Sequence, residues 1–171
     1  MILSGNEIVN AIVHGDIKIE PFYIDNLNSN SYDLTLHNEL LIYDEAVLDP
    51  KRINKTKKFI LPKVGITIFP GQLYLGRTVE YTETRNYVPG IEGRSSFARL
   101  GLTIHASAGF GDVGFCGSWT LEISCIHPIV LYPNMQICQI FYHEVTKGYS
   151  EYSGKYQNQI EAGPSKIHEE L

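Results

Sequence analysis

The sequence predicts an all-β fold, an antiparallel sandwich or barrel, preceded by one short helix. Three observations predict it. Short runs rich in β-branched, aromatic and aliphatic residues recur along the chain; turn residues separate them; and no helical pattern lies between them. The predicted strands are Leu34–Leu36, Ile66–Phe69, Leu73–Leu75, Trp119–Ser124 and Ile137–Tyr142. The turn signals are Phe69-Pro70-Gly71, Val88-Pro89-Gly90 and Tyr132-Pro133-Asn134.

The helix is predicted just after the start of the chain. Ser4 and Glu7 form a capping-box pattern, in which each side chain satisfies a backbone N–H. Ile8, Val9, Ile12 and Val13 share one helical face, and Gly15 is a natural stop. The basic segment Asp49–Lys58 reads as a solvated loop. From Lys147 onward the chain is polar and Gly/Tyr-rich, a tail that is mobile unless something orders it. No repeat or linker divides residues 1–171, so a single domain is expected.

Composition narrows the function. With 43% hydrophobic and 19% charged residues, the chain can bury a core and is not a disordered segment. A net charge of −5 argues against sequence-independent binding of nucleic acid, which needs a broad basic surface. A small phosphorylated ligand needs only a few local cations and stays open. Neither a signal peptide nor a membrane span is legible. Cys116, Cys125 and Cys138 are odd in number and form no C-x-x-C pair, so core thiols in a reducing cytoplasm are expected. His14, His37, His127, His143 and His168 lack metal-ligand spacing and are expected on surfaces. The 11 tyrosines match β propensity without a functional explanation.

The chemistry concentrates in Glu92–Cys125, EGRSSFARLGLTIHASAGFGDVGFCGSWTLEISC. Gly93-Arg94-Ser95-Ser96 with Arg99 places two guanidiniums and two hydroxyls beside a glycine, which suits phosphate. A turn with surface ion pairs has the same composition. Asp112 lies among glycines, and Glu122 lies inside a strand whose Leu121 and Ile123 point to the opposite face. Thr120 shares the Glu122 face, so an exposed face of an edge strand is an alternative. Were that face enclosed, burial would raise the Glu122 pKa and make it a proton shuttle. Trp119 opens this strand and reads as packing rather than base stacking.

This stretch resembles the signature of the dCTP deaminase/dUTPase family: G-R-S-S-x-A-R-x-G, then H-x-[ST]-A, then D-x-G-[FW]-x-G, then a strand ending L-E. Ser29–Leu36 is similar to the family's S-x-D-L-x-L strand, Pro133–Gln139 to its P-G-M-x-I-G-Q turn, and Tyr149 with Lys155–Gln159 to its Y…K-Y-x-x-Q tail. The resemblance implies a distorted β-barrel or jelly-roll of the dUTPase type, assembled as a homotrimer with sites between subunits. Residues from about 147 to 171 would close over the nucleotide as a lid. Deamination in this family needs no zinc, and the H-x-E…P-C-x-x-C pattern of zinc deaminases is missing here.

The resemblance also assigns roles. Glu122 would be the proton-transferring residue at C4 of cytosine, with Ser95 orienting water and Arg99 holding Glu122 and stabilising charge. Arg94 and Ser96 would contact the triphosphate. Asp112 would bind the sugar 3′-OH and help activate water for phosphate cleavage. Thr120 and Leu121 would contact the base through their backbone. Ala98, His105 and Ala108 are further substrate-binding positions, His105 being linked to feedback inhibition by dTTP and equally readable as a structural histidine. Gln139, Tyr149, Lys155 and Gln159 would engage phosphates or close the lid. Mg²⁺ would arrive with the triphosphate, without protein metal ligands.

Glu122 favours deamination, while Gly109-Phe110 and Gln139 resemble the bifunctional branch, so conversion of dCTP to dUMP is the expected activity. The alternatives are dCTP deamination alone, dUTP hydrolysis alone, or a non-catalytic nucleotide-binding module. Gly111 and Val113, where the family has Ile and Pro, bring the turn around Asp112 into question. Ser107, Asn134 and Cys138 are milder departures, and Asn suits a positive-φ turn position.

Overall fold

A computed structural model describes residues 1–171. Helix α1 spans Gly5–His14. Ser4 caps it, its Oγ accepting from Glu7 N at 3.3 Å. Glu7 does not complete the box; its carboxylate accepts from Asn10 instead. Gly15 ends the helix at φ 78°, as the sequence suggested. The buried face is Gly5, Ile8 and Ala11, with Ile12 beside it. Val13 is 78% exposed, because five residues from Ile8 is well over a quarter-turn off that face.

Thirteen strands follow: β1 Ile17–Glu20, β2 Tyr32–Thr35, β3 Glu39–Tyr43, β4 Thr56–Ile60, β5 Ile66–Ile68, β6 Tyr74–Arg77, β7 Tyr81–Thr84, β8 Tyr87–Gly93, β9 Leu102–Ile104, β10 Cys116–Gly117, β11 Thr120–Cys125, β12 Ile129–Leu131 and β13 Gln136–Glu144. A single turn, α2 Ser95–Ala98, interrupts them. They form four small sheets, ordered β1-β7-β10, β4-β3-β6-β11-β9, β12-β5 and β2-β13-β8. Every strand pairing is antiparallel. The all-β expectation therefore holds.

All five predicted strands are present, shifted by a residue or two. Two readings need correction. Val88-Pro89-Gly90 is no turn; it belongs to β8, paired along β13. Pro89 is tolerated because β8 is the edge of its sheet, and Gly90 is needed because a Cβ there would lie 2.4 Å from the Phe141 ring. The last three residues of the Asp49–Lys58 segment are not loop but β4, where Lys58 sits opposite Leu41 and pairs with Glu39 at 2.8 Å. Their charges obscured the strand.

One main core runs between the sheets. Leu34, Leu36, Leu121, Ile123, Ile137 and Ile140 are fully buried in it. Cys125 and Cys138 are buried and Cys116 is half-buried; all three are free, and burial pushes their thiols up. Asn134 takes φ 65° in the turn before β13. Only two of the five histidines expected on surfaces, His14 and His127, are exposed; His37, His143 and His168 are half-buried. No helix is long and apolar enough to cross a membrane.

Candidate active site

Strand β11 builds the site. It is internal to its sheet, with β6 on one side and β9 on the other. The edge-strand alternative is thereby excluded. Leu121 and Ile123 are fully buried in the core, so alternation turns Thr120 and Glu122 to the other face. That face forms a wall of a pocket of roughly 470 Å³.

The β9–β11 register then brings His105 to Glu122. Ile104 pairs with Ile123, so the next residue falls beside Glu122, and His105 N donates to Glu122 O at 3.1 Å. The side chains meet as well, with His105 Nδ1 3.3 Å from Glu122 Oε2. Nδ1 carries the proton, since a carboxylate can only accept. His105 stands at φ 51°, an uncommon backbone conformation for a non-glycine residue. Its hydrogen bond and charge hold the Glu122 carboxyl below its ordinary range, against the opposing effect of burial. The expected rise of the Glu122 pKa is thus corrected to a fall. Burial contributes as anticipated but is outweighed by the histidine.

The loop after His105 is laced to β8. Ile91 N donates to Gly109 O at 2.7 Å, and Gly111 N to Pro89 O at 2.9 Å. Asp112 follows, exposed at the pocket wall. Val113 is buried, and its turn is fixed without proline: Gly114 adopts φ 86°, Tyr152 N donates to Val113 O at 2.8 Å, and Gln157 Nε2 donates to Gly114 O at 2.7 Å.

The tail supplies the remaining wall and is ordered along β10 and β11. Asn158 N donates to Cys116 O at 2.8 Å and Ser118 N to Gln159 O at 2.9 Å. Gln159 Nε2 and Gly163 N both approach Thr120 Oγ1, at 3.3 and 3.1 Å. Ala162 is buried against Leu41 and Leu75, and Ser165 N donates to the Tyr43 hydroxyl at 2.9 Å. Trp119 packs as expected: it is 8% exposed, lies 4.6 Å from Phe115 between ring centroids, and donates from Nε1 to Thr82 Oγ1 at 2.9 Å.

The pocket therefore gathers Glu122, Asp112, His105, Ala108, Thr120 and Gln159 of the expected residues. Leu121 does not line the pocket, and its side chain is fully buried in the core. The other expected residues lie outside the pocket. Ser95, Ser96, Ala98 and Arg99 are exposed on and beside α2. Arg94 is clamped by Asp33 at 3.1 Å and by Gln136 O and Oε1 at 3.0 and 3.1 Å. Gln139 is held by Ser31 and Gly93. Tyr149 donates to Asn86 Oδ1 at 2.9 Å, while Lys155 pairs with Glu170 and the Lys166 carbonyl. Within one chain Glu122 is thus held by His105 rather than by Arg99. No lysine or arginine lines the pocket.

Sequence reasoning missed Tyr43 and Tyr152, and it singled out Phe110 and Tyr156 as parts of motifs without assigning them to the pocket; all four supply aromatic walls. No group of three or more His, Cys, Asp or Glu side chains is arranged to hold a metal.

The chain resembles known proteins over its whole length. Residues 2–145 match the family described as dCTP deaminase-like. The chain is 58% identical over 172 residues to "dCTP deaminase, dUMP-forming" of Clostridium acetobutylicum, covering 100% of this chain and 99% of that protein. It is 57% identical over 168 residues to the protein of the same name from Hathewaya histolytica, covering 98% and 97%. Among solved structures, the 2′-deoxycytidine 5′-triphosphate deaminase of Agrobacterium tumefaciens superposes with a TM-score of 0.67 at 20% identity, over 84% of this chain and 48% of that one, a likeness of fold.

Proposed function

The chain belongs to the dCTP deaminase-like family, and we propose that it deaminates dCTP and hydrolyses the resulting dUTP, yielding dUMP, pyrophosphate and ammonia. The observation that carries this reading is Glu122: a half-buried carboxylate, kept ionised by His105, on an internal strand at the wall of a nucleoside-sized pocket.

An ionised carboxylate is a base. Glu122 takes a proton from the water that adds to C4 of cytosine and delivers it to N3. The second proton of that water goes to the departing amine, which leaves as ammonia, so one water is consumed. A second water then attacks the α-phosphorus of dUTP, and pyrophosphate leaves. Asp112 holds the sugar 3′-OH and helps activate this second water. Thr120 and the Leu121 backbone meet the base.

The triphosphate cannot be held by this pocket alone, which carries two acids and no Lys or Arg. We assign that role to Arg94, Ser95, Ser96 and Arg99 of another copy in a homotrimer. Ser95, Ser96 and Arg99 are exposed on and beside α2, which suits an intersubunit site, while Arg94 is half-buried and would have to exchange its contacts with Asp33 and Gln136 to reach a phosphate. Ser95 orients the attacking water, and Arg99 stabilises charge at the base. Mg²⁺ would arrive with the triphosphate and would neutralise its charge, held mainly by the phosphate oxygens and water. A pocket that accepts the uracil ring of dUTP also has the hydrogen-bonding pattern for thymine, which makes dTTP the candidate inhibitor. Three free thiols suit a reducing cytoplasm.

The test is incubation with dCTP and Mg²⁺, with dUTP in parallel, and separation of products by anion exchange. Formation of dUMP from both supports the reading. Accumulation of dUTP from dCTP makes the protein a deaminase alone. Consumption of dUTP only makes it a dUTPase, and no turnover of either leaves a binding module.

A further inference from the structure

Gly111 and Trp119 are matched in shape. The φ of Gly111 lies outside the left-handed region, so its backbone conformation does not demand glycine. Space does. A Cβ at residue 111 would lie 2.5 Å from Trp119 Cη2, 2.9 Å from Pro89 Cγ and 3.0 Å from Pro89 O.

The indole cannot withdraw. Its Nε1 donates to Thr82 Oγ1 at 2.9 Å, its backbone N donates to Thr78 Oγ1 at 3.0 Å, and its ring packs on Phe115. Gly111 is also tied to β8, its N donating to Pro89 O at 2.9 Å. The loop thus bears on both β8 and the indole, and the next residue is Asp112, at the pocket wall.

We propose that Trp119 is a positioning residue for Asp112: its indole sets the depth at which residues 109–112 seat on β8, and hence where the Asp112 carboxylate meets the sugar 3′-hydroxyl. The proposal rests on the reading of Asp112 as the sugar ligand. A shift of about 1 Å in such a group can cost on the order of 100-fold in rate.

The experiment measures the preference in kcat/KM for dCTP over 2′,3′-dideoxy-CTP, which lacks the hydroxyl. The variants are D112N, G111A and W119I. D112N should abolish the preference. G111A, which crowds both the indole and Pro89, and W119I, which leaves the loop unsupported, should each reduce it by about tenfold. A general loss of folding would lower turnover of both nucleotides together and leave the preference unchanged. If G111A and W119I keep the parent preference while D112N loses it, Trp119 does not position Asp112. W119I that keeps the parent preference overturns the proposal even where G111A loses it, because G111A also meets Pro89. If D112N itself keeps the preference, the sugar-ligand reading has failed, and the proposal with it. Should G111A not fold, W119I carries the same comparison alone.

Discussion

His105 Nδ1 lies 3.3 Å from Glu122 Oε2, and the strand register that pairs Ile104 with Ile123 puts it there. The carboxylate is half-buried yet its pKa is depressed, because one hydrogen bond from the histidine outweighs desolvation. In the proposed reaction the base and the group that keeps it ionised thus come from β11 and from the residue that follows β9.

Removing the carboxylate isolates its role. E122Q keeps the size and an acceptor but cannot take a proton. It should lower dCTP deamination by about 1,000-fold, within the range of a lost general acid–base group. Hydrolysis of dUTP should stay within about threefold of the parent, because that reaction occurs at phosphorus and not at the base. Steady-state assays on the two substrates check this.

Removing the histidine should move the acid limb of the pH profile. In the parent protein Glu122 stays ionised until pH falls through a value below 4.5, so its activity as a base, and the stability that the pair contributes, are lost only there. In H105A the two lowering influences vanish and desolvation remains. The acid limb of kcat/KM for dCTP should therefore shift to higher pH. A profile from about pH 4 to pH 8 measures it.

Glu80 gives a separate test on the fold. It is 1% exposed, accepts from Thr35 N at 2.8 Å, and burial raises its pKa above 4.5. A raised carboxyl stabilises the fold below its unfolded pKa and loses that contribution as pH rises through the folded value. E80Q keeps an acceptor for Thr35 and has no charge to bury. Its Tm should exceed that of the parent by a margin that widens from acid to neutral pH.

The tail should be dispensable for folding and needed for catalysis. Ending the chain at Lys147 removes Tyr152, Tyr156, Gln159 and Gly163–Ser165 from the pocket wall and exposes Leu41 and Leu75. The core remains, so thermal unfolding should stay cooperative. The kcat/KM for dCTP should fall by at least about tenfold as the pocket loses the wall that the tail supplies.

Local chemistry made some of this legible in the sequence and hid the rest. Strands with clear β-rich runs, such as β11 and β13, could be read directly. Strand β4 could not, because Lys57 and Lys58 gave it the look of a solvated loop, and β8 could not, because Pro89 and Gly90 imitate a turn. Glu122, Asp112 and His105 stood out within one motif, and the structure gathers them in one pocket. The influence of His105 on Glu122 was missed, since it depends on strand register. Tyr43 and Tyr152 passed as ordinary β-sheet tyrosines; only the return of the tail across β11 makes them pocket residues. Gly111, a doubtful departure in the sequence, is explained by the Trp119 indole that fills its side-chain space.

The most direct test of the account is complementation between two inactive chains. E122Q lacks the base but keeps the Arg94–Arg99 segment, while a chain carrying S95A and R99Q lacks that segment's function but keeps Glu122. The account predicts that each is inactive alone and that dCTP deamination reappears when the two are refolded together, from sites that combine the intact half of each. If the co-assembled mixture stays inactive, the reaction centre is not shared between chains, and the account of how this pocket binds a triphosphate is contradicted.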